Sequence, residues 1–402
     1  MKIIVSHVQK QHAYRLVYAL QKANRLEKFY TSLYFKKDGF LTKIFKANKK
    51  LSRFIPKRKF DKLNEEKVIL TYLPEVLSKV LDRLSVNLSS FYAQRLHDII
   101  VSFFVNCNKC DIFIGYETQS LSSFKKAKKH GAITILDAAS VYFETVIKIN
   151  ERNNNIIRPK DKEKYIYIEG KVKSEELKYT DYIITLSEFA KNSYIEAGFP
   201  KEKIQLVSLG IDTSLFSLKQ NYSFEKFEIL FVAGVRHLKG IKDLIEVFNK
   251  LNLDNAILTI VGNKSDAYEY VEKNLSENIR YIPYVDHSEL KVLYQNSSIF
   301  VLPTYMDSFG QVIFESMSCG TPVITTTNSG APGIIIDMQN GFIIEPGNQE
   351  ALKEKILYFY HNRDEIERMG KNARQNVEIL TWDKYYDEIN DFIDEIKEKH
   401  SI

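Results

Sequence analysis

At 402 residues the chain is too long for one ordinary core and suits two α/β domains. Its hydrophobic content of 44% and charged content of 27% exclude a disordered chain, and with no apolar run of about eighteen residues no transmembrane helix is expected. A net charge of +6 is unevenly spread, and the three cysteines, Cys107, Cys110 and Cys319, are too few for a disulfide framework.

The chain opens MKIIVSHVQKQH, whose apolar run is too short for a signal peptide, so a cytoplasmic location is expected. Residues 1–8 read as a first buried strand, and HAYRLVYALQKA has helical periodicity. A long basic and helical insert follows, to about residue 108. Then DIFIGYE (111–117) reads as a strand, SLSSFKKAKKHG as a helix ending at Gly131, and AITILDA as a strand. Residues 161–180 read as helix, DYIITLS (181–187) as strand, SEFAKNSYIEAG as helix and KIQLVSLG as strand. This alternation predicts a parallel sheet with crossover helices. IDTSLFSLKQNYSFEKF has no strong period and reads as a linker. A second α/β series starts at EILFVAG (228–234) and runs through KGIKDLIEVFNKL, AILTIVG, HSELKVLYQNS, SIFVLPT, GQVIFESMSCG and TPVITTT. The last 50 residues read as helical, with Trp382 near the start of the final helix.

Between Lys36 and Lys62 stand eleven cations: Lys36, Lys37, Lys43, Lys46, Lys49, Lys50, Arg53, Lys57, Arg58, Lys59 and Lys62. Only Asp38 and Asp61 oppose them, and Phe35, Phe40, Phe45, Phe54 and Phe60 lie among them. Charge draws such a segment to an anionic surface and rings enter the interface, so contact with an anionic membrane is expected. The competing reading is a solvated basic loop with aromatics packed on the core. No nucleic-acid-binding motif accompanies the patch, so nucleic acid is not expected as a partner. Cys107 and Cys110 form a C-x-x-C pair, but the two further ligands of a zinc site are not evident, and thiols at a helix end are expected.

The second half concentrates the chemistry. Arg236 and Lys239 follow the strand EILFVAG and precede Gly240 and a helix. Cations are unfavourable beside a helix N-terminus, so a diphosphate ligand explains the pair better than two surface charges do. Further on, Asp307-Ser-Phe-Gly-Gln-Val-Ile-Phe-Glu315 follows SIFVLPT, with a helix starting near Gln311. Its free N–H groups suit a phosphate or a sugar hydroxyl. Asp307 suits sugar hydroxyls or a helix cap. Glu315 is suited to a ribose diol or to solvent, but it stands in an apolar helix where a carboxylate needs a partner.

FVAGVRHLKG, TIVG, PTYMDSFGQVIFESMSCGTPVI and NGFIIEPGN resemble the retaining glycosyltransferases of family 4, of the GT-B fold. The resemblance implies two Rossmann-like, doubly wound domains facing each other across a cleft. An acceptor-side domain would span 1–216, a nucleotide-sugar-binding domain 217–381, and a final helix, 382–402, would cross back. It implies a hexosyltransferase that moves a sugar from a UDP- or GDP-linked donor to an acceptor hydroxyl. The acceptor would be a saccharide or a lipid-linked saccharide, in surface polysaccharide or glycolipid assembly at the inner face of the membrane. Arg236 and Lys239 would bind the diphosphate, Asp307 the donor sugar and Glu315 the ribose. Backbone at Ser308, Phe309, Gly310 and Gln311 would hold sugar or phosphate. The glycines of FVAG and TIVG, Gly234 and Gly262, fall on the donor side, and the loop Ile282-Pro283-Tyr284-Val285 on the nucleobase region. The family's first acid is a glutamate, here shortened to Asp307. SHVQKQHAY replaces a glycine-rich acceptor loop, Gly333 replaces a glutamate, and no histidine follows AITILD, where Ala138 and Ala139 stand. His7 and His12 flank the loop after the first strand, and His12 is a candidate acceptor-side contact. No Asp-x-Asp motif accompanies the site, so neither a metal nor any cofactor beyond the sugar nucleotide is expected. A nucleotide-sugar epimerase and a non-catalytic membrane partner of a transferase are the alternatives.

Overall fold

Strands such as Ile3–Ser6 (β1), Ile112–Tyr116 (β4), Ile133–Ala138 (β5) and Tyr182–Thr185 (β6) are buried along their whole length, which only a sheet covered on both faces allows. The computed structural model describes all residues except 49–51, 53, 86, 87, 108, 109, 154–159, 223 and 224. These four strands join Leu26–Thr31 (β2), Val68–Leu70 (β3) and Ile204–Leu206 (β7) in a parallel sheet of order β3-β2-β1-β4-β5-β6-β7. A second parallel sheet has the order β10-β9-β8-β11-β12-β13. Its strands are Phe227–Val232 (β8), Ala256–Val261 (β9), Ile279–Ile282 (β10), Ile299–Leu302 (β11), Val323–Thr326 (β12) and Gly341–Ile344 (β13). The chain winds outward in both directions from β1 and again from β8. The crevices at the carboxyl ends of β1/β4 and β8/β11 are therefore the places where such sheets take ligands.

Four strands differ from the sequence expectation. β2 and β3 lie inside what reads as a basic helical insert. LEKFYT carries two charges and VIL is three residues long, so neither has a run long enough to announce a strand, and pairing outward from β1 decides them. The insert does contain the helices Phe40–Ala47, Leu73–Arg83 and Ser89–Cys107. β10 takes Ile282 out of the expected nucleobase loop, and β13 extends the second sheet. Residues of the linker segment pack on the second half. Phe216 is buried, and Lys219 Nζ donates to Ser297 O (2.8 Å) and Thr321 Oγ1 (3.0 Å) of the second half.

The last helix, Trp382–His400, packs on the helix Ala13–Lys22 of the first sheet. The Arg15 guanidinium lies 4.3 Å from the Trp382 ring centre and donates to Tyr386 Oη (2.9 Å). Arg25 grips both oxygens of Asp394 at 2.8 and 2.7 Å, and Tyr182 Oη meets His400 Nε2 at 2.8 Å.

His97, fully buried on the helix Ser89–Cys107, ties β1 to the end of β3 through Ser6 Oγ (3.0 Å) and Thr71 Oγ1 (3.0 Å). Burial pushes its imidazole down to about 3, and burial also lowers that of His7 to about 4. Both rings stay neutral in the folded chain while the unfolded chain takes up protons below the ordinary histidine value. Stability should therefore fall as pH drops from about 6.5 towards 4, with uptake of close to two protons on unfolding. Urea denaturation across that window checks this. A His97→Asn variant should flatten the slope, and an unchanged slope would assign it to other groups.

Candidate active site

In the second half, β8 ends at Val232, and a short turn, His237–Lys239, leads to Gly240 and the helix Ile241–Leu251. Gly240 adopts φ +71°, and a Cβ there would run into the Pro303 carbonyl, so the turn closes tightly against the end of β11. That closure carries Lys239 to the neighbouring loop. Its Nζ donates to Asp307 Oδ2 (2.5 Å) and Met306 O (3.3 Å). The two candidates from separate motifs thus meet across the β8/β11 crevice. Arg236 is exposed, and its guanidinium makes no hydrogen bond or ion pair among the described residues. Gly234 is exposed, and a Cβ there would meet nothing within 4 Å. Gly262 has a structural reason instead, since a side chain would strike the Ala233 carbonyl.

Asp307 is not the cap of the helix Gln311–Ser318. Its Oδ1 accepts from the Phe309 N–H at 3.3 Å, and its own N–H donates to Asn328 O. The N-cap is Gly310, at φ +76°, with no side-chain cap; the Ile313 N–H donates to the Gly310 carbonyl (2.8 Å), and the N–H groups of Gln311 and Val312 point out at the helix end where an anion binds. Any Cβ at Gly310 would come within 2.7 Å of Ile313 Cδ1. The Phe309 ring is buried 4.8 Å from that of Phe314, so only its backbone can serve a ligand, and Ser308 is half-buried beside it. Glu315 is buried rather than solvated. It accepts from Gln311 Nε2 (3.1 Å) and Tyr294 Oη (3.3 Å). Burial raises its carboxyl above the usual range, against the opposing pull of His287, Tyr294 and Gln311. Tyr284 is 71% exposed and Val285 half-buried, past the end of β10.

On the other side, a cavity of ≈ 320 Å³ opens at the carboxyl ends of β1, β4 and β5. Its lining includes His7, Gln94, Glu117, Gln119, Asp137 and Lys173. Lys173 pairs with Glu117 (2.9 Å), which also accepts from Tyr194 Oη (2.7 Å) and the Ser140 hydroxyl. Burial alone would lower the Lys173 ammonium, but the Glu117 carboxylate outweighs it and holds the pKa raised. His12 does not line this cavity. Its Nε2 is held by both oxygens of the fully buried Asp137, at 3.0 and 2.9 Å, so it meets the cavity only through Asp137. Asp137, Glu117 and Lys173 escaped the sequence reading. The signal for Asp137 was a lone charge at the end of the apolar strand ITILDA. Lys173 had none, because it reaches the site from a helix.

The basic segment is partly tied down. Phe35 is buried against Phe45 (4.8 Å), Phe60 packs on Tyr18 (5.8 Å), and Arg58 pairs with Glu75 (3.2 Å). Phe40 and Phe54 are exposed. Lys49, Lys50 and Arg53 lie outside the described residues, as does the side chain of Cys107, while Cys110 and Cys319 are free and buried.

Residues 217–376, the part that carries Arg236, Lys239, Asp307 and Glu315, match the family model "Glycosyl transferases group 1". The chain is 30% identical over 242 residues to the capsular polysaccharide biosynthesis glycosyltransferase CapM of Staphylococcus aureus, an alignment covering 54% of this chain and 63% of that protein. Alignments to the first three curated relatives span 63%, 61% and 53% of their lengths. The whole fold matches the sucrose-phosphate synthase of Thermosynechococcus elongatus, with TM-score 0.64, 17% identity and coverage of 98% and 99% of the two chains. It also matches Anabaena HepE in complex with UDP-glucose, with TM-score 0.66, 12% identity and coverage of 98% and 100%. The architecture is GT-B: two parallel-sheet, Rossmann-like units.

Proposed function

We propose that the chain transfers a hexosyl group from a UDP- or GDP-linked donor to an acceptor hydroxyl, with retention of configuration and without a bound metal, in the assembly of a surface polysaccharide or glycolipid. The supporting observation is the Lys239–Asp307 pair at the β8/β11 crevice, beside the uncapped N-terminus of Gln311–Ser318. Charge grows on the diphosphate as the glycosidic bond stretches, and the sugar becomes oxocarbenium-like. Arg236, Lys239 and the free N–H groups stabilise the leaving group, taking the place of a metal. Asp307, paired with Lys239 across the crevice, holds a hydroxyl of the donor sugar. Glu315, at the far end of the first helical turn, accepts from the ribose. The Tyr284 ring offers a face for the base. The leaving phosphate takes the acceptor proton, and the acceptor enters through the cavity lined by Glu117, Asp137 and Lys173. Exposed cations of the 36–62 segment bring the chain to an anionic membrane on the cytoplasmic side.

Calorimetry with UDP and GDP, before and after EDTA, tests the donor half. One of the two nucleotides should bind in both conditions, and loss of binding after EDTA would remove metal independence. Glu315→Gln should weaken that binding by about 1.5–3 kcal/mol even with no sugar present, because a charged hydrogen bond to the ribose is lost. Unchanged affinity would give Glu315 a purely structural role through Tyr294 and Gln311.

A further inference from the structure

A second cavity, of ≈ 350 Å³, lies at the same edge of the first sheet, beyond the ends of β2 and β3. Tyr34, Phe40, Leu70 and Tyr72 give it mostly apolar walls, with Lys36 at its side. Its volume is at the lower end of small-molecule sites, roughly 300–1,000 Å³. Around it apolar side chains face outward. Phe40 is 77% exposed, and Ile44 lies one turn further along the same helix. On the helix Leu73–Arg83, Leu73, Val76 and Val80 recur at helical spacing, continued by Leu84 just past its end, and all four are exposed.

The surrounding charge identifies what covers this face. Lys37, Lys43, Lys46, Lys79 and Arg83 are exposed on these elements, against exposed Asp38 and Asp82, while Glu75 is held by Arg58. An apolar stripe rimmed by cations complements an anionic bilayer, whose headgroups meet the lysines and whose chains meet the stripe. The same helix is coupled to the acceptor-side cavity. Ser32 Oγ lies within hydrogen-bond distance of both Glu75 Oε2 (3.0 Å) and Val8 O (2.7 Å), and Val8 lines that cavity.

We propose that the Tyr34–Phe40–Leu70–Tyr72 cavity binds the hydrocarbon chain of a lipid-linked acceptor, drawn from an anionic bilayer in which the Leu73–Val80 stripe is seated. This rests on the transferase reading for the identity of the bound lipid as acceptor. The sugar end then sits over β1, β4 and β5, and the chain runs along the sheet edge past β2 to the membrane.

The test uses the full chain carrying Phe40→Trp, with native Trp382 as internal reference. Vesicles of phosphatidylglycerol and phosphatidylcholine are prepared with bromine either near the headgroup or deep in the acyl chain. Emission from position 40 should be quenched most by the deep bromines. A triple variant, Val76→Ser, Val80→Ser and Leu84→Ser, should sediment about tenfold less with the same vesicles, because the buried apolar area is lost. Its binding of UDP or GDP should be unchanged, which separates this surface from the donor site. Strong sedimentation without quenching at position 40 would overturn the chain site, as would a triple variant that sediments like the parent. A dimeric parent that the triple variant turns into a monomer would assign the stripe to a second copy and also overturn it. If the triple variant does not fold, the quenching pattern decides alone. Quenching that persists in a chain binding neither nucleotide would leave the lipid site standing while the donor reading fails.

Discussion

Lys239→Ala is expected to lower sugar transfer about a hundredfold, a loss of ~3 kcal/mol of transition-state stabilisation, while folding stability changes by no more than about 1 kcal/mol. The asymmetry follows from what Lys239 does in each state. In the folded chain it serves a partly exposed ion pair with Asp307, a kind of interaction that contributes little to stability. In the proposed reaction it would face a diphosphate whose charge grows as the bond breaks, and there one fixed cation has a much larger effect. Arg236→Ala should act in the same direction, with still less effect on stability, since its guanidinium is exposed and unpartnered among the described residues. Initial rates with the bound sugar nucleotide, read beside urea denaturation, check both. Turnover within a few-fold of wild type for either variant would remove that residue from the diphosphate site.

His12→Phe should destabilise the fold by about 3–5 kcal/mol, the cost of leaving a buried carboxylate without its partner. Asp137 is fully buried, and its two oxygens are satisfied by His12 Nε2. Burial first, and then the Asp137 charge, raise the hydroxyls of Tyr116 and Tyr385 well above the ordinary tyrosine value. Those rings come from β4 and from the final helix, so the pair joins the first sheet to the end of the chain. Removing both partners, as in His12→Phe with Asp137→Leu, should recover most of the loss, because no unpaired charge remains. A double-mutant cycle in urea measures the coupling. A double variant whose loss equals the sum of the two single losses would mean the pair contributes no coupling and His12 matters only for packing.

The candidate residues of the second half were legible because they lie in short local patterns. A strand, two cations and a glycine place Arg236 and Lys239 at a strand end, and an apolar helix with one acid makes Glu315 conspicuous. The cavity of the first half was not legible for a physical reason. Lys173, Asp137 and Glu117 come from a helix, a strand and the turn just past β4, spread over some fifty residues, and each alone looks like an ordinary surface or strand-end charge. Likewise β2 and β3 carry too little apolar sequence to announce themselves, and they exist because β1 offers a free edge on which to pair.

Sequence alone determined the two-part α/β architecture, since apolar runs four to six residues long, separated by amphipathic helices, bury themselves in few other ways. It also determined which residues stand at the strand ends of the second half. Only the tertiary structure decided which of these charges meet. Lys239 turns to Asp307 because Gly240 closes against Pro303, and Glu315 is taken out of solvent by Tyr294 from another helix. It also decided that His12 serves Asp137 rather than the cavity, and that the aromatics of the basic segment divide, Phe35, Phe45 and Phe60 packing inward while Phe40 and Phe54 stay exposed. Contacts between residues far apart in the chain depend on how whole elements pack, and local periodicity carries no record of that packing.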